Sequence, residues 1–260
     1  MRLGLLLSLV LVGCSPDASP RLDTAADSLA YQVTEGVGGL AAWESLPVLA
    51  FEWAVVVDSA EAVRRYHLWD KEGDRYRVEW PVGADSVAVA LFSPSQFDPE
   101  AAEGQAGING VALAGSDLTG RLDEAYGQFI NDSYWLLAPL KTMDPGVVRT
   151  IEDVDGVPTL ALAFEGVGLT PGDRYWIDLD ATSGTMLGWR YRLQGDTTES
   201  RWSWTDPIQI DTPRGPLSLA TVKVKEGEGA VILTEPRAVV AVDEAAFTDL
   251  APRGSRVEAE

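Results

Sequence analysis

The sequence predicts an α+β domain in which a strongly curved antiparallel sheet carries helices packed into its concave side. Two observations lead there. About ten strand-like runs are separated by turn signals, and the helical stretches are segregated, one early and one mid-chain, instead of alternating with strands. The number of strands sets the curvature, since so many must close on themselves or be covered to avoid free edges. Hydrophobic residues make up 46% of the 260, enough for a substantial core, so the bulk of the chain is not disordered.

The elements follow in order. From Leu22 to Leu46 the apolar positions Leu22, Ala26, Leu29, Val33, Val37 and Leu40 recur at helical steps, with Trp43 one turn on. Gly36, Gly38 and Gly39 interrupt that pattern, which predicts two helices or one sharply broken helix. From Pro47 the period becomes that of strands: Val48 to Val57, Val63 to Trp69, Arg75 to Trp80, Ser86 to Phe92 and an arm between Gly107 and Leu113. In the third run Tyr76, Val78 and Trp80 alternate with Arg75, Arg77 and Glu79, which predicts one buried and one wet face. Leu118 to Leu140 returns to helical spacing, with Asp117 the expected N-cap and Pro139 and Asp144-Pro145-Gly146 the expected stop. Strand runs then resume: Val147–Val154, Thr159–Phe164, Arg174–Asp180, Met186–Leu193, Ser200–Trp204, Leu217–Lys225 and Ala230–Val242. Asp180 to Gly184 is a hairpin turn between two of them. The tail Gly254–Glu260 is polar and expected to fray.

Ahead of all this stands a leader. Residues 1–13 hold Arg2, an apolar run from Leu3 to Val12 and Gly13, the make-up of a secretory signal peptide. The run is too short to cross a hydrocarbon core of about 30 Å as a helix. Leu11-Val12-Gly13-Cys14 resembles the lipobox of bacterial lipoproteins, and the resemblance implies that Cys14, the one cysteine in the chain, is lipidated. Each buried methylene contributes about 0.8 kcal/mol, so two or three acyl chains would anchor the protein firmly. Residues 14–21 then form a flexible tether of small, polar and proline residues, and residues 22–253 a single folded domain. By resemblance to Gram-negative lipoproteins, Ser15 after the cysteine points to the outer membrane, facing the periplasm.

The formal net charge is −20, and removal of the leader with its one arginine makes it −21. That charge argues against nucleic acid as a partner. The residues also offer little for catalysis. His67 is the only histidine, on a strand where its neighbours' alternation points it outward, and no His-x-x-x-His or Cys-x-x-Cys spacing exists. Neither a Gly-x-Ser-x-Gly elbow nor a phosphate loop is present. Glu152, Asp153 and Asp155 lack the spacing of a calcium loop and read as a solvated turn. The expectation is a non-enzymatic protein without cofactor or metal.

Four segments resemble the superfamily of the LolA and LolB lipoprotein carriers. They are Gly38 to Trp43, Tyr66 to Asp70, Asn131 to Lys141 with Asp144 to Val147, and Asp178 to Gly184 followed by Trp189-Arg190-Tyr191. Together they span roughly residues 36–205, and the mid-chain segment is the most specific. The resemblance implies an unclosed β-barrel of about eleven antiparallel strands with a helical lid over an apolar cavity, which LolA and LolB use for acyl chains. No position here matches the lid-locking arginine of LolA or the protruding apolar loop of LolB.

The nine tryptophans suit such a cavity, each with an apolar face and one N–H. Trp53, Trp69, Trp135 and Leu136 are the candidate lining residues for an acyl chain, lipid or lipoprotein. The alternative is a structural or interaction lipoprotein, its barrel packed solid by the same side chains and its acidic surface meeting a protein of the envelope.

Overall fold

The computed structural model describes residues 21–98, 101, 103–165, 172–180 and 182–254. The leader, Cys14, the tether up to Pro20 and the tail beyond Gly254 lie outside the described residues. Two helices open the described chain, α1 (Ala25–Glu35) and α2 (Gly39–Ser45), followed by strands β1 (Val48–Val57), β2 (Ala60–Asp70), β3 (Arg75–Gly83), β4 (Ser86–Phe92), β5 (Gln105–Ile108) and β6 (Val111–Ala112). The long helix α3 (Gly115–Lys141) leads to β7 (Val147–Val154), β8 (Val157–Phe164), β9 (Arg174–Leu179), β10 (Met186–Arg192), β11 (Ser200–Ile210), β12 (Leu217–Lys225) and β13 (Ala230–Ala238). A 3₁₀ turn, Glu244–Phe247, follows.

The thirteen strands among the described residues belong to one antiparallel sheet in the order β6-β5-β4-β3-β2-β1-β13-β12-β11-β10-β9-β8-β7. Each half of the chain is a meander. The halves meet where β1 pairs with β13, from Leu49 opposite Ala238 to Val57 opposite Ala230. Strands β6 and β7 end the sheet without pairing to each other, and α3 connects them. This is the α+β, unclosed curved sheet that the sequence predicts, with thirteen strands in place of about eleven. The difference includes the two-residue β6.

Local chemistry explains the turns and breaks. The hairpins at Asp58-Ser59, Asn109-Gly110 and Asp155-Gly156 have positive φ at both central residues, as two-residue loops require to match strand twist. Thr24 and Asp27 form a reciprocal capping box at the start of α1. Between α1 and α2, Gly38 has φ 114° and a Cβ there would stand 2.3 Å from Pro216 O, so the predicted break is fixed by glycine. The end signals of α3 are displaced. Its N-cap is Ala114, with Asp117 one turn inside, and Pro139 is accommodated in the last turn before the helix stops at Lys141.

Helix α3 crosses the concave face. Its first half packs Leu122, Ala125 and Phe129 against Tyr76, Trp80 and Phe92 of β3 and β4. Its second half sets Trp135 to Leu140 into the main core with α1, β1 and β8 to β13. The opposite face of the sheet is partly covered as well. Val48, Ala50 and Leu68 pack under Val239, Ala246 and Phe247 of the C-terminal segment, which is why β1 reads as a continuous apolar run.

The predicted wet face of β3 is corrected by that segment. Arg77 is 0% exposed and Glu79 1% exposed. Arg77 donates through Nε to Glu79 (2.6 Å) and through its terminal nitrogens to the carbonyls of Ala246, Asp249 and Ala251. Glu79 accepts the backbone N–H groups of Arg253 and Gly254. The C-terminal strap supplies these two side chains with partners that no strand pattern contains.

Candidate functional site

Most of the concave face is filled by indole rings. Trp135 of α3 meets Trp189 of β10 edge-on at 4.8 Å and Trp202 of β11 at 4.9 Å, and Trp189 meets Trp204 at 5.1 Å. Alternation on each strand aims them: Trp202 and Trp204 are two residues apart, as are Trp189 and Tyr191. Register completes the layer, since Tyr191 lies opposite Tyr175 and Trp189 opposite Ile177. The indole N–H groups of Trp53, Trp189, Trp202 and Trp204 are buried without a hydrogen-bond partner among the described residues.

Space remains at one end. A cavity of about 550 Å³ lies between the C-terminal half of α3 and strands β7 to β10. Its walls are Tyr134, Trp135, Phe164, Tyr175, Trp189 and Tyr191, with Val147 and the exposed Leu193 also in the lining. Tyr134 stands edge-on to Phe164 at 5.6 Å, and Tyr175 leans on Tyr191 at 5.5 Å. Three charged residues, Lys141, Asp144 and Asp173, share the lining. Lys141 Nζ is 3.5 Å from Asp144 Oδ2. Burial raises the Asp144 carboxyl above its ordinary value, partly offset by Lys141. Burial likewise holds the hydroxyls of Tyr134 and Tyr175 well above the usual phenol range, so both stay protonated. The Tyr134 hydroxyl is buried and has no partner among the described residues, which leaves a donor available.

Of the four lining candidates, Trp135 is in this wall; Trp53, Trp69 and Leu136 stand elsewhere. Trp53 is buried in the main core beneath the Arg65 guanidinium, 4.7 Å from its ring. Trp69 packs edge-on against Trp43 and Phe129, and Leu136 is fully buried. Cys14 lies outside the described residues. The lining residues that sequence reasoning passed over are Tyr175, Tyr191 and Phe164. The period of two would have found the first two, because Trp176, next to Tyr175, turns to the other face and donates to Glu152.

His67 is the clearest correction. It is buried at 1% exposure, stacked on Phe51 at 4.3 Å. The Tyr76 hydroxyl is 2.8 Å from its Nδ1, and Asp132 Oδ2 of α3 is 3.0 Å from Nε2, within ion-pair range though not aligned as a hydrogen bond. The network assigns Tyr76 as donor to Nδ1 and places the ring proton on Nε2, toward Asp132. Arg65 donates to both oxygens of Asp132 at 2.9 Å. The mid-chain segment thus faces two ways: Asp132 ties α3 to β2, while Tyr134 and Trp135 wall the cavity. Glu152, of the acidic turn, pairs with Arg174 and accepts from Trp176.

No family model matches this chain, and no curated protein matches it. Among solved structures it is similar to a DUF1329 family protein from Desulfovibrio piger, at 14% identity over 85% of this chain and 94% of that one, with a TM-score of 0.45. It is similar also to a LolA superfamily protein from Nitrosomonas europaea (10% identity, 82% and 91% covered, TM-score 0.42). A third is a Vibrio parahaemolyticus domain assigned as an outer membrane lipoprotein-sorting protein (8% identity, 85% and 94% covered, TM-score 0.40). Likenesses of this size carry no argument about ligand or anchor. The architecture itself is an uncompleted antiparallel barrel with helices in its concave side.

Proposed function

We propose that this chain is a lipid-anchored protein of the cell envelope that receives one hydrocarbon chain in the cavity between α3 and β7 to β10, without catalysis. In this reading residues 1–13 are the signal peptide, Cys14 carries the lipid, residues up to 21 are the tether, and residues 22–253 are the binding domain. The observation that carries it is the cavity of about 550 Å³ walled by six aromatic side chains, within the roughly 300–1,000 Å³ of small-molecule sites. Twelve buried methylenes would contribute about 10 kcal/mol. An association cost of at least about 4 kcal/mol leaves an affinity of tens of micromolar or weaker. The alternative, a partner-binding protein with a solid interior, is favoured by one observation: the Trp135, Trp189, Trp202 and Trp204 cluster fills the rest of the concave face.

Titration of the delipidated mature protein with a fluorescent fatty acid tests the proposal. Saturable uptake near one per chain is expected, weakened at least tenfold by Leu193→Glu at the cavity wall. Absence of saturable uptake, with near-ultraviolet circular dichroism intact, sinks it in favour of the solid barrel.

A further inference from the structure

We propose that β7 is a homodimer seam, pairing antiparallel with the same strand of a second copy of this chain. The proposal is independent of any ligand in the cavity. The sheet ends on two strands, β6 and β7. β6 has two residues and offers almost nothing to pair with. β7 has eight, in unbroken register with β8 from Val147 opposite Phe164 to Val154 opposite Val157. Long edge strands are commonly blunted by a proline, a bulge or a lysine, and β7 contains none of the three.

One bond shows which way its amides point. Glu165 N donates to Gly146 O at 2.9 Å, so 146 and 165 are a hydrogen-bonded pair in the register that the hairpin continues. Such pairs alternate along an antiparallel ladder. Residues 148, 150, 152 and 154 therefore also turn their backbone groups toward β8. Arg149, Ile151 and Asp153 turn theirs outward, where they have no backbone partner among the described residues. Ile151 is 40% exposed and Asp153 is exposed as well.

The strand's own sequence selects a second copy as the occupant. Two identical antiparallel neighbours are related by a two-fold axis that keeps each side chain on its own face, so one residue must lie opposite itself. That residue must be one whose amides point outward. Centring the pair on Arg149 or on Asp153 opposes like charges. Centring it on Ile151 joins the two isoleucines and sets Arg149 opposite Asp153 of the second copy, twice. Both charges have capacity for this. Arg149 gives Nε to Asp27 and Nη1 to the Thr142 carbonyl, which leaves Nη2. Asp153 uses Oδ1 for the Gly156 N–H, which leaves Oδ2.

The mature chain carrying Cys14→Ser tests the proposal. Sedimentation equilibrium up to about 1 mM, in about 0.15 M NaCl, screens the negative charge of each copy beyond about 8 Å. A reversible dimer is expected. A chain that stays monomeric overturns the proposal and leaves the edge to an extended segment of another protein or to none. Ile151→Lys brings two like charges together and is expected to weaken the dimer at least tenfold with circular dichroism unchanged. A dimer that survives it lies elsewhere and overturns the seam. Cross-linking reads the register, since replacing Cys14 removes the only natural cysteine. Ile151→Cys, with Cα atoms about 5.5 Å apart across the axis, is expected to form a disulfide dimer under mild oxidation. Thr150→Cys lies diagonal to its copy, beyond the roughly 7 Å that a disulfide spans, and is expected to stay monomeric. Equal cross-linking of both variants, or of neither, overturns this register.

Discussion

Arg65, His67 and Asp132 share one buried space between β2 and α3, and the histidine is there as a neutral ring. Burial is the main cause that pulls its pKa below the ordinary 6.5, Arg65 adds to it, and Asp132 partly opposes. Tyr76, the fourth member, has its hydroxyl pushed up by burial and stays protonated. As pH falls below 6.5 the unfolded chain takes a proton that the folded chain refuses, so unfolding free energy decreases, by at most about 1.4 kcal/mol per pH unit. His67 is the only histidine. Asp144, raised by burial, works in the opposite direction, and Lys71, lowered to about 8, takes up the last of its proton in the upper part of this range and contributes little below pH 7. Urea unfolding between pH 7.5 and 5.5 should therefore show a falling stability that flattens in His67→Gln; an unchanged slope would show that the ring is not held neutral. None of this was legible from residues 63–69 alone. Alternation on one strand says which side chains share a face, but Phe51 and Asp132, which bury the ring, arrive from β1 and α3.

Arg77 and Glu79 fasten an element that has almost no regular structure of its own, the segment from the 3₁₀ turn to Gly254. Arg77→Met would strand Glu79 and three carbonyl groups away from water, a loss of about 3–5 kcal/mol. Hydrogen exchange should show residues 246–254 losing protection, and the double variant Arg77→Met with Glu79→Leu should regain part of the stability. Protection unchanged in the single variant would mean that apolar packing under Phe247 holds the strap. Elements whose signals are local were read closely from sequence: β4, β7 and β12 fall on their predicted limits. β11 outran its prediction of Ser200–Trp204 and continues to Ile210. Pro207 would ordinarily stop a strand. Here Asp206 adopts φ 53°, and the register with β12 runs on unshifted from Thr205 opposite Val222 to Pro207 opposite Ala220, so the strand passes the proline.

At the scale of the molecule, the anchor proposed at Cys14 and the cavity can be tested separately. Cys14→Ser expressed in a Gram-negative host should move the protein from the membrane pellet to the soluble fraction while leaving fatty-acid uptake by the purified domain unaltered; a variant that still pellets would refute lipidation at that residue. Residue type pointed to an aromatic interior, and Trp135, one of the four lining candidates, stands in the main core and in the cavity wall. The free space within that interior was not readable, because filled and unfilled barrels use the same side chains, and only the register of β9 against β10 shows which rings surround a gap. The seam between the two meanders has a consequence for biosynthesis. Strand β1 is apolar on both faces, yet its partner β13 is the last strand to leave the ribosome. Until then one edge of β1 presents unpaired amides beside bare hydrophobic surface, so the nascent chain is at its stickiest for nearly the whole of its synthesis.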